Sequence, residues 1–316
     1  MQLLTALAVF AYFLYALCAI LDKHIVSNTS LKPVPYAFYS GFFQIFYVLT
    51  IPIVVYASPR IEFVFPSAGL TLLALVDGMI FTFALLNLYK ATEEGEISRI
   101  SPIIGILVPI FSLVLSVVFL RQMLTSNELL AVLFFVSGGF LISAKIDKKS
   151  FSYISGMKPA ILSGFLFATY YVVMDYLFAH AGFIEVFSIL QLGGCLGALL
   201  LLISAGNRKQ IFKGKEGREM SVAGENKKMG RSGMLIFVAD KGLSAVAAVM
   251  IFYAIKIGSA TMVNSLQAVQ YAFVLILTLI LTKKAPGAIK EEIQKGVLLQ
   301  KGMALALTAF GLILIA

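Results

Sequence analysis

The sequence predicts an all-α integral membrane protein with ten transmembrane helices, arranged as two inverted repeats of five helices each. Three observations predict this class: the composition, the spacing of the apolar runs, and a similarity between the two halves of the chain. Of the 316 residues, 60% are hydrophobic and 13% are charged, and the mean hydropathy is +0.95. Soluble domains carry about 25% charged residues, so the composition excludes a soluble protein.

Long apolar runs account for most of the chain. A helix needs about 20 apolar residues to cross a hydrocarbon core of about 30 Å. Continuous runs such as 274–281 do not show the alternating polarity of a transmembrane β-strand, which excludes a β-barrel. The predicted spans, numbered one to ten, are 3–21, 34–56, 67–89, 100–119, 126–144, 156–179, 183–204, 233–256, 258–282 and 299–315.

The basic residues are distributed unevenly over the connections between spans. Of the 25 Lys and Arg residues, 21 fall in or beside the connections that follow odd-numbered spans. The positive-inside rule therefore predicts that these connections are cytoplasmic and that both termini are outside. We expect a multi-pass protein of the plasma membrane whose bases contact anionic lipid headgroups rather than nucleic acid. The longest connection, about 206–232, is predicted to be a flexible cytoplasmic loop.

Small residues inside the spans are predicted to serve helix packing. Cys18 and Cys195 lie within apolar runs, and we interpret both as small buried hydrophobic residues rather than as a disulfide or a metal site. Gly193 and Gly197 have the Gly-x-x-x-Gly spacing, which predicts close helix packing inside the bundle rather than dimerisation.

The two halves, 1–150 and 151–316, are predicted to be the repeats of one membrane domain. A constant offset of 163 residues relates Asp77 to Asp240 and Ser101 to Asn264, and also two glycines at the same spacing. Because each half has an odd number of spans, the second runs through the membrane in the opposite direction. Such repeats place a site at the midplane between the halves.

Local sequence pieces at two junctions resemble the EamA-type transporters of the ten-helix drug/metabolite transporter superfamily. The first piece is Tyr-Lys-Ala at 89–91, which runs into Ser-Arg-Ile-Ser-Pro at 98–102. The second is Tyr-Ala-Ile at 253–255, which runs into Gly-Ser-Ala-Thr-Met-Val at 258–263. The resemblance covers nearly the whole chain and implies a secondary transporter.

Ionisable residues at membrane depth are the first candidates for transport chemistry. Each costs about 2.5–3.5 kcal/mol to insert, so it needs a partner or a water-filled cavity. Asp77 and Asp240 meet this description, and Lys241 follows Asp240 directly. Because Lys241 points about 100° away from its neighbour around the helix, we expect it to reach Asp175 or Asp77 instead. The alternative is a structural ion pair that holds the eighth span.

Other polar residues form a second group of candidates. One face of the ninth span carries Asn264, Gln267, Gln270 and Tyr271. These groups are predicted to line a solute cavity, although amides of this kind also join helices to one another. A gate or access role is a weaker candidate function for Asp22, Asp175, Ser101 and Pro102. Asp22 and Asp175 are alternatively solvated or capping carboxylates near helix ends.

Three alternatives to a transporter are an enzyme, a flippase and a membrane scaffold. The sequence has no His-Glu-x-x-His or Gly-x-Ser-x-Gly motif and has two histidines in all, which argues against an enzyme. No metal or cofactor is expected, and the partner is a small-molecule solute. A flippase for a lipid-linked sugar or similar amphiphile remains the alternative, and a membrane scaffold without transport is the third possibility.

Overall fold

A computed structural model of the chain describes residues 2–28, 32–49, 63–94, 97–121, 123–143, 156–212, 231–284 and 295–315. Within these ranges the chain is helical and contains no strand. The helices of the first half are α1 (Gln2–Asn28), α2 (Pro33–Phe42), α3 (Ala68–Glu94), α4 (Ile97–Leu115) and α5 (Ser126–Ser143). Those of the second half are α6 (Met157–His180), α7 (Phe183–Leu201), α8 (Ala205–Phe212), α9 (Arg231–Ile257), α10 (Ala260–Ser265), α11 (Gln267–Lys284) and α12 (Lys295–Ile315).

Two helices of the first half depart from regular geometry. After α2 the chain turns at residues 43–44 and becomes helical again over 45–49, and the remainder of the second predicted span lies outside the described residues. At the end of α4, Ser116–Leu120 form a π-helical turn, and Arg121 then adopts a left-handed conformation with φ 54°. The α5 helix begins regularly, with Glu128 accepting hydrogen bonds from the backbone and hydroxyl of Thr125 at 2.8 Å. This arrangement is a capping box.

The ninth span is broken, although the sequence analysis treats it as one helix. Ser259 begins α10 by accepting a hydrogen bond from the backbone of Met262. Six residues later, Ser265 donates its hydroxyl to the carbonyl of Met262 at 2.7 Å. The same carbonyl also accepts the backbone N–H of Leu266 at 3.3 Å. The helix is interrupted at Leu266 before α11 starts.

The connection predicted as a flexible loop at 206–232 begins with a helix. The α8 helix packs on α2, where Ile211 is buried and the ring of Phe212 lies 6.3 Å from that of Phe38. For this part the prediction of a loop was wrong, because two apolar residues at one end of a short segment give no helical periodicity. Residues 213–230 lie outside the described part of the chain.

The helices have the length and composition of membrane spans. Large apolar side chains face outward, as in Phe119 at 73% and Phe10 at 53% exposure, whereas Asp77 and Asp240 are completely buried. This distribution is the reverse of that in a soluble protein. Six described segments are long and apolar enough to cross a membrane: Gln2–Leu21, Ala68–Glu94, Ile103–Leu120, Met157–His180, Phe183–Leu201 and Val238–Ile257.

The bundle is assembled mainly from four helix pairs. The most extensive contacts are those of α3 with α7, α3 with α6, α5 with α12 and α1 with α9. The largest buried apolar cluster joins residues of α1, α3, α6, α7, α9 and α10, so the core lies between the two halves of the chain. Asp77 and Asp240, which are completely buried, lie on α3 and α9, two of the helices that form this core.

Candidate substrate and coupling site

Asp77 and Asp240 lie inside the bundle, on α3 and α9 respectively. Both are 0% exposed. Neither carboxylate oxygen of Asp77 has a hydrogen-bond partner among the described residues, and the hydroxyl of Tyr170 on α6 is within range of electrostatic interaction with it. A buried acid in a membrane span without a strong partner is a functional candidate by default.

Lys241 forms an ion pair with its own neighbour in the chain. Its Nζ lies 2.9 Å from Oδ2 of Asp240, in a geometry that does not make a directed hydrogen bond. The same Nζ donates to the hydroxyl of Tyr36 at 3.3 Å and lies 5.3 Å from the centre of that ring. The expectation that Lys241 would reach Asp175 or Asp77 rather than Asp240 was wrong, because its flexible four-carbon stem is long enough to fold back.

Two further contacts hold this part of α9 in place. The thiol of Cys18 on α1 donates to the backbone oxygen of Asp240 at 3.6 Å, and the hydroxyl of Ser244 donates to that sulfur at 3.2 Å. On the other side, the ring of Tyr36 lies 4.5 Å from the ring of Tyr89 on α3. The Asp240–Lys241 pair is therefore positioned by α1, α2 and α3 together.

Aromatic side chains from five parts of the fold form a connected group beside the buried acids. Tyr47 contacts Phe187 with ring centres 5.9 Å apart, and Phe187 contacts Phe252 at 5.7 Å. Tyr170 contacts Phe252 at 6.0 Å and Phe81 at 4.9 Å. These rings come from the helical segment 45–49, α7, α9, α6 and α3, so the group spans the interface between the two halves.

Two further tyrosines lie beside this aromatic group. The ring of Tyr15 on α1 lies 6.4 Å from that of Tyr12, whose hydroxyl donates to the carbonyl of Val263 at 2.9 Å. The ring of Tyr171 on α6 lies 5.3 Å from that of Tyr170. The side chains of Tyr15 and Tyr171 are both partly exposed.

The polar face predicted on the ninth span is divided by the helix break. On α10, Asn264 donates to the hydroxyl of Ser112 at 3.0 Å, and Thr261 donates to the hydroxyl of Ser116 at 3.0 Å. All four side chains are buried. Asn264 thus joins α10 to α4, which is the helix-joining role that the sequence analysis left open.

The remaining members of that face lie beyond the break. Gln267 and Gln270 are on α11 and are partly exposed. Tyr271 is on the same helix, but its side chain lies outside the described part of the structure. Among the described side chains, Asn264 is bonded to Ser112, and Gln267 and Gln270 are not part of that contact.

The weaker gate candidates lie at helix ends. Asp175 on α6 is buried and accepts a hydrogen bond from the backbone of Ala260 at 3.0 Å, so it caps the start of α10. Ser101 and Pro102 lie in α4 and Asp22 in α1, with side chains outside the described part of the structure. The capping alternative for Asp175 accounts for its observed contact.

A seam of glycines joins α3 to α7. A Cβ atom built on Gly78 would lie 2.7 Å from the backbone nitrogen of Gly194 and 2.8 Å from the Cα of Gly193. One built on Gly197 would lie 3.0 Å from Met79. The absence of side chains therefore allows backbone-to-backbone contact, and this confirms the prediction that Gly193 and Gly197 serve packing within the bundle.

Sequence reasoning missed the tyrosines of the central group. Tyr15, Tyr47, Tyr170 and Tyr171 occur in the middle of apolar runs in a chain that contains 13 tyrosines and no tryptophan. Tyrosine normally prefers the interfaces of a membrane, so tyrosines at mid-span were a usable signal. They carry hydroxyl groups to the depth at which Asp77 and Lys241 lie.

Long apolar helices, an apolar exterior and buried acids are together the features of an all-α membrane protein. Sixteen solved chains have a fold similar to this one. One of them, described as a crystal structure of a protein, matches 98% of this chain over 97% of its own length, with a TM-score of 0.64 and 14% identity. At that identity the likeness shows the fold alone. No protein-family model matches the chain, and no curated protein matches it.

Proposed function

We propose that the protein is a secondary active transporter that moves a small polar metabolite or drug-like solute across the membrane by alternating access. The observation that supports this most is the full burial of Asp77 and Asp240 inside the bundle. Carboxylates at membrane depth that bind and release protons or charged solutes suit proton coupling or exchange. The sequence has no Walker-type phosphate loop that would bind ATP.

The pairing of helices supports the inverted repeat that this mechanism requires. If the repeat relates each span to the span five places later, α1 corresponds to α6 and α3 corresponds to α9. The extensive contact of α1 with α9 then corresponds to that of α3 with α6. The contact of α4 with α6 likewise corresponds to that of α1 with α11, and the pairs α2–α7 and α5–α12 correspond to themselves. Inverted repeats of this kind place the substrate site at their interface.

The finer assignments are part of the same proposal. We assign the chain to the EamA-type transporters because its junction sequences resemble theirs. In this assignment the ten spans form two repeats, residues 1–150 and residues 151–316. We place it in the plasma membrane with both termini outside, because of the unequal distribution of Lys and Arg. A reporter enzyme that is active outside the cytoplasm should be active when fused to the C-terminus and inactive when inserted near residue 220. The opposite pattern would refute the orientation.

The experiment that tests transport begins with a ligand screen. Protein purified in detergent is heated with amino acids, nucleosides, sugars, sugar phosphates and cationic drugs. A solute at 100 times its Kd stabilises the folded state by about 2.7 kcal/mol. Cys18 and Cys195 are both buried, so reaction with a thiol-reactive fluorophore reports unfolding.

The solute that stabilises most is then used in proteoliposome uptake assays. We expect Asp77→Asn and Asp240→Asn each to reduce gradient-driven uptake at least about tenfold, or about 1.4 kcal/mol. Glu185→Gln is the matched control, because Glu185 is a buried carboxylate outside the site that accepts a hydrogen bond from the backbone of Val64 at 3.1 Å. Unchanged uptake in both aspartate variants would refute the site, and no stabilising solute for a folded protein would refute the transporter.

A flippase for a lipid-linked sugar or similar amphiphile is the second candidate, and one observation favours it. A shallow, open apolar surface is formed by Phe111, Ile161, Leu162 and Phe165, with Lys158 beside them. Its partly exposed apolar side chains suit an acyl chain, and the lysine suits an anionic headgroup. Translocation of a fluorescent lipid-linked sugar between the leaflets of proteoliposomes, measured with a membrane-impermeant quencher, would support this candidate over the first.

A further inference from the structure

The buried carboxyl groups of the protein differ in whether they have a partner. Within the described ranges, four acidic side chains are buried: Asp77, Asp175, Glu185 and Asp240. Asp175 accepts a hydrogen bond from the backbone of Ala260 at 3.0 Å, and Glu185 accepts one from the backbone of Val64 at 3.1 Å. Asp240 lies 2.9 Å from the ammonium group of Lys241. Three of the four therefore have a donor or a cation beside them, and Asp77 is the exception.

Asp77 has neither a hydrogen bond nor an ion pair with any residue that the structure describes. Its side chain is 0% exposed, and both of its carboxyl oxygens are covered without a donor. An ionised carboxylate that is removed from water and left unpaired is so unfavourable that such a group becomes neutral instead. A carboxylic acid needs no counter-ion. The surroundings of Asp77 therefore fit the protonated form better than the carboxylate.

The side chains of α6, which packs extensively on α3, supply no nearby positive charge. The ring of Tyr170 lies 4.9 Å from that of Phe81, which follows Asp77 by one helical turn, and its phenol is within electrostatic range of Asp77. A phenol carries no charge at neutral pH. Lys158 and His180 are twelve and ten residues from Tyr170, or about 18 and 15 Å along the helix.

The other helices that pack on α3 are α2, α4 and α7, and they also bring no cation to Asp77. The α7 helix meets α3 with backbone atoms, including those of Gly193 beside Gly78. Its one carboxyl group, Glu185, is eight residues from Gly193, or about 12 Å along the helix. The remaining titratable groups on the described side chains of α2, α4 and α7 are phenols and one thiol: Tyr36, Tyr39 and Cys195.

We propose that Asp77 is protonated in this structure and is the residue that carries the coupling proton of transport. The inference rests on the proposed transporter function and names its coupling ion. When the bundle opens toward one side of the membrane, the O–H bond of the Asp77 carboxyl group breaks and the proton passes to water. When it opens toward the other side, a proton from water there restores the acid. One cycle thus moves a proton across the membrane and needs no further reactant.

Infrared absorption of the full-length protein, purified in a detergent that has no carbonyl group, tests the protonation state. At about pH 8, exposed Asp and Glu side chains are ionised, so a remaining carbonyl stretch of a carboxylic acid reports a buried protonated group. We expect this band in the wild type and expect Asp77→Asn to remove it. Glu185→Gln is the matched control and should keep the band, because Glu185 is buried with a backbone donor.

The wild-type spectrum alone can contradict the proposal. Absence of the carboxylic acid band at about pH 8 would overturn it. A band that persists in Asp77→Asn would also overturn it, and its disappearance in Asp240→Asn instead would assign the proton to the other fully buried acid. If Asp77→Asn does not fold, Asp77→Glu replaces it. This variant should keep a carboxylic acid band at a shifted frequency, and an unshifted band would refute the assignment to Asp77.

The coupling role is tested in proteoliposomes that contain a pH-sensitive dye, with the stabilising solute added outside. We expect solute uptake to change the internal pH in the wild type and in Glu185→Gln, and the rate of this change to fall at least about tenfold in Asp77→Asn. Exchange of labelled solute across the membrane at equal pH moves no net proton, so Asp77→Asn should retain measurable exchange. Loss of exchange as well would indicate a structural role for Asp77 and overturn the proposal.

Two further outcomes separate the coupling ion from transport itself. Replacement of Na⁺ by choline should leave uptake and the change in internal pH unaltered, and a requirement for Na⁺ would refute the proton as the coupling ion. Uptake without any proton movement in the wild type would refute the role of Asp77 and leave transport in place. No transported solute of any class would remove both the transporter proposal and the coupling role.

Discussion

The contact of α3 with α7 makes a sharp prediction about Gly78. Substitution by Ala adds a Cβ atom that would collide with the backbone oxygen of Leu190 and would lie 2.7 and 2.8 Å from backbone atoms of Gly194 and Gly193, where ordinary contact begins at 3.4 Å. All three neighbours are backbone atoms in a helix, so none moves without moving α7. The helices must therefore separate by more than about 0.7 Å or distort, and overpacking of this kind costs about 1–3 kcal/mol.

The matched control is Gly69→Ala in the same helix. A Cβ atom at Gly69 meets nothing within 4 Å, and Ala is favoured over Gly inside a helix by about 1 kcal/mol. The two substitutions are chemically identical and are expected to have opposite effects. Gly78→Ala should lower the unfolding temperature, and Gly69→Ala should leave it unchanged or raise it.

The assay follows the buried thiols of Cys18 and Cys195 during heating in detergent. Because Cys195 is on α7 itself, loosening of the seam should also accelerate its labelling below the unfolding temperature. Equal stabilities for Gly78→Ala and Gly69→Ala would refute the close approach of the two helices. Faster labelling of Cys195 without a lower unfolding temperature would show that the contact between α3 and α7 opens locally and that the whole fold is not destabilised.

Three other predictions concern polar contacts that join helices. Ala substitutions of Ser112 and Asn264, alone and together, should show a coupling of about 0.5–1.5 kcal/mol in a double-mutant cycle of thermal unfolding, and additive effects would contradict their hydrogen bond. Asp175→Ala should destabilise the fold by about 0.5–2 kcal/mol, because it uncaps Ala260 at the start of α10, and a stability equal to wild type would argue against the cap. Lys256→Met should lower the unfolding temperature, because Lys256 donates to carbonyl groups at the end of α6, and Lys256→Arg should restore part of it.

Much of the architecture follows from properties that are local in the sequence. Burial of an apolar run in a membrane depends on its length and composition, so the span at 67–89 corresponds closely to α3, Ala68–Glu94. The depth of Asp77 and Asp240 also follows, because the rise per residue in a helix places each position along its span. The spacing of Gly193 and Gly197 likewise indicated a packing surface before its partner was known.

Contacts that depend on the conformation of a side chain did not follow from the sequence in the same way. The choice of Asp240 as the partner of Lys241 depends on a side-chain conformation, and sequence spacing alone favoured more distant acids. The break at Leu266 follows a hydrogen bond from the hydroxyl of Ser265 to the carbonyl of Met262. Helical periodicity in the sequence predicts neither the ion pair nor the helix break, because both depend on side-chain rotamers and on neighbours in space.

The sequence by itself determined that this is an all-helical chain with apolar spans, because hydrophobic length and charge distribution act on each segment separately. The tertiary structure decided which of the charged residues is accessible. It brought Tyr36 of α2 within hydrogen-bonding distance of Lys241 on α9, although the two residues are 205 positions apart, and it left both carboxylates covered. The physical reason is that the exposure of a charged side chain depends on neighbours from segments that do not meet until the helices pack.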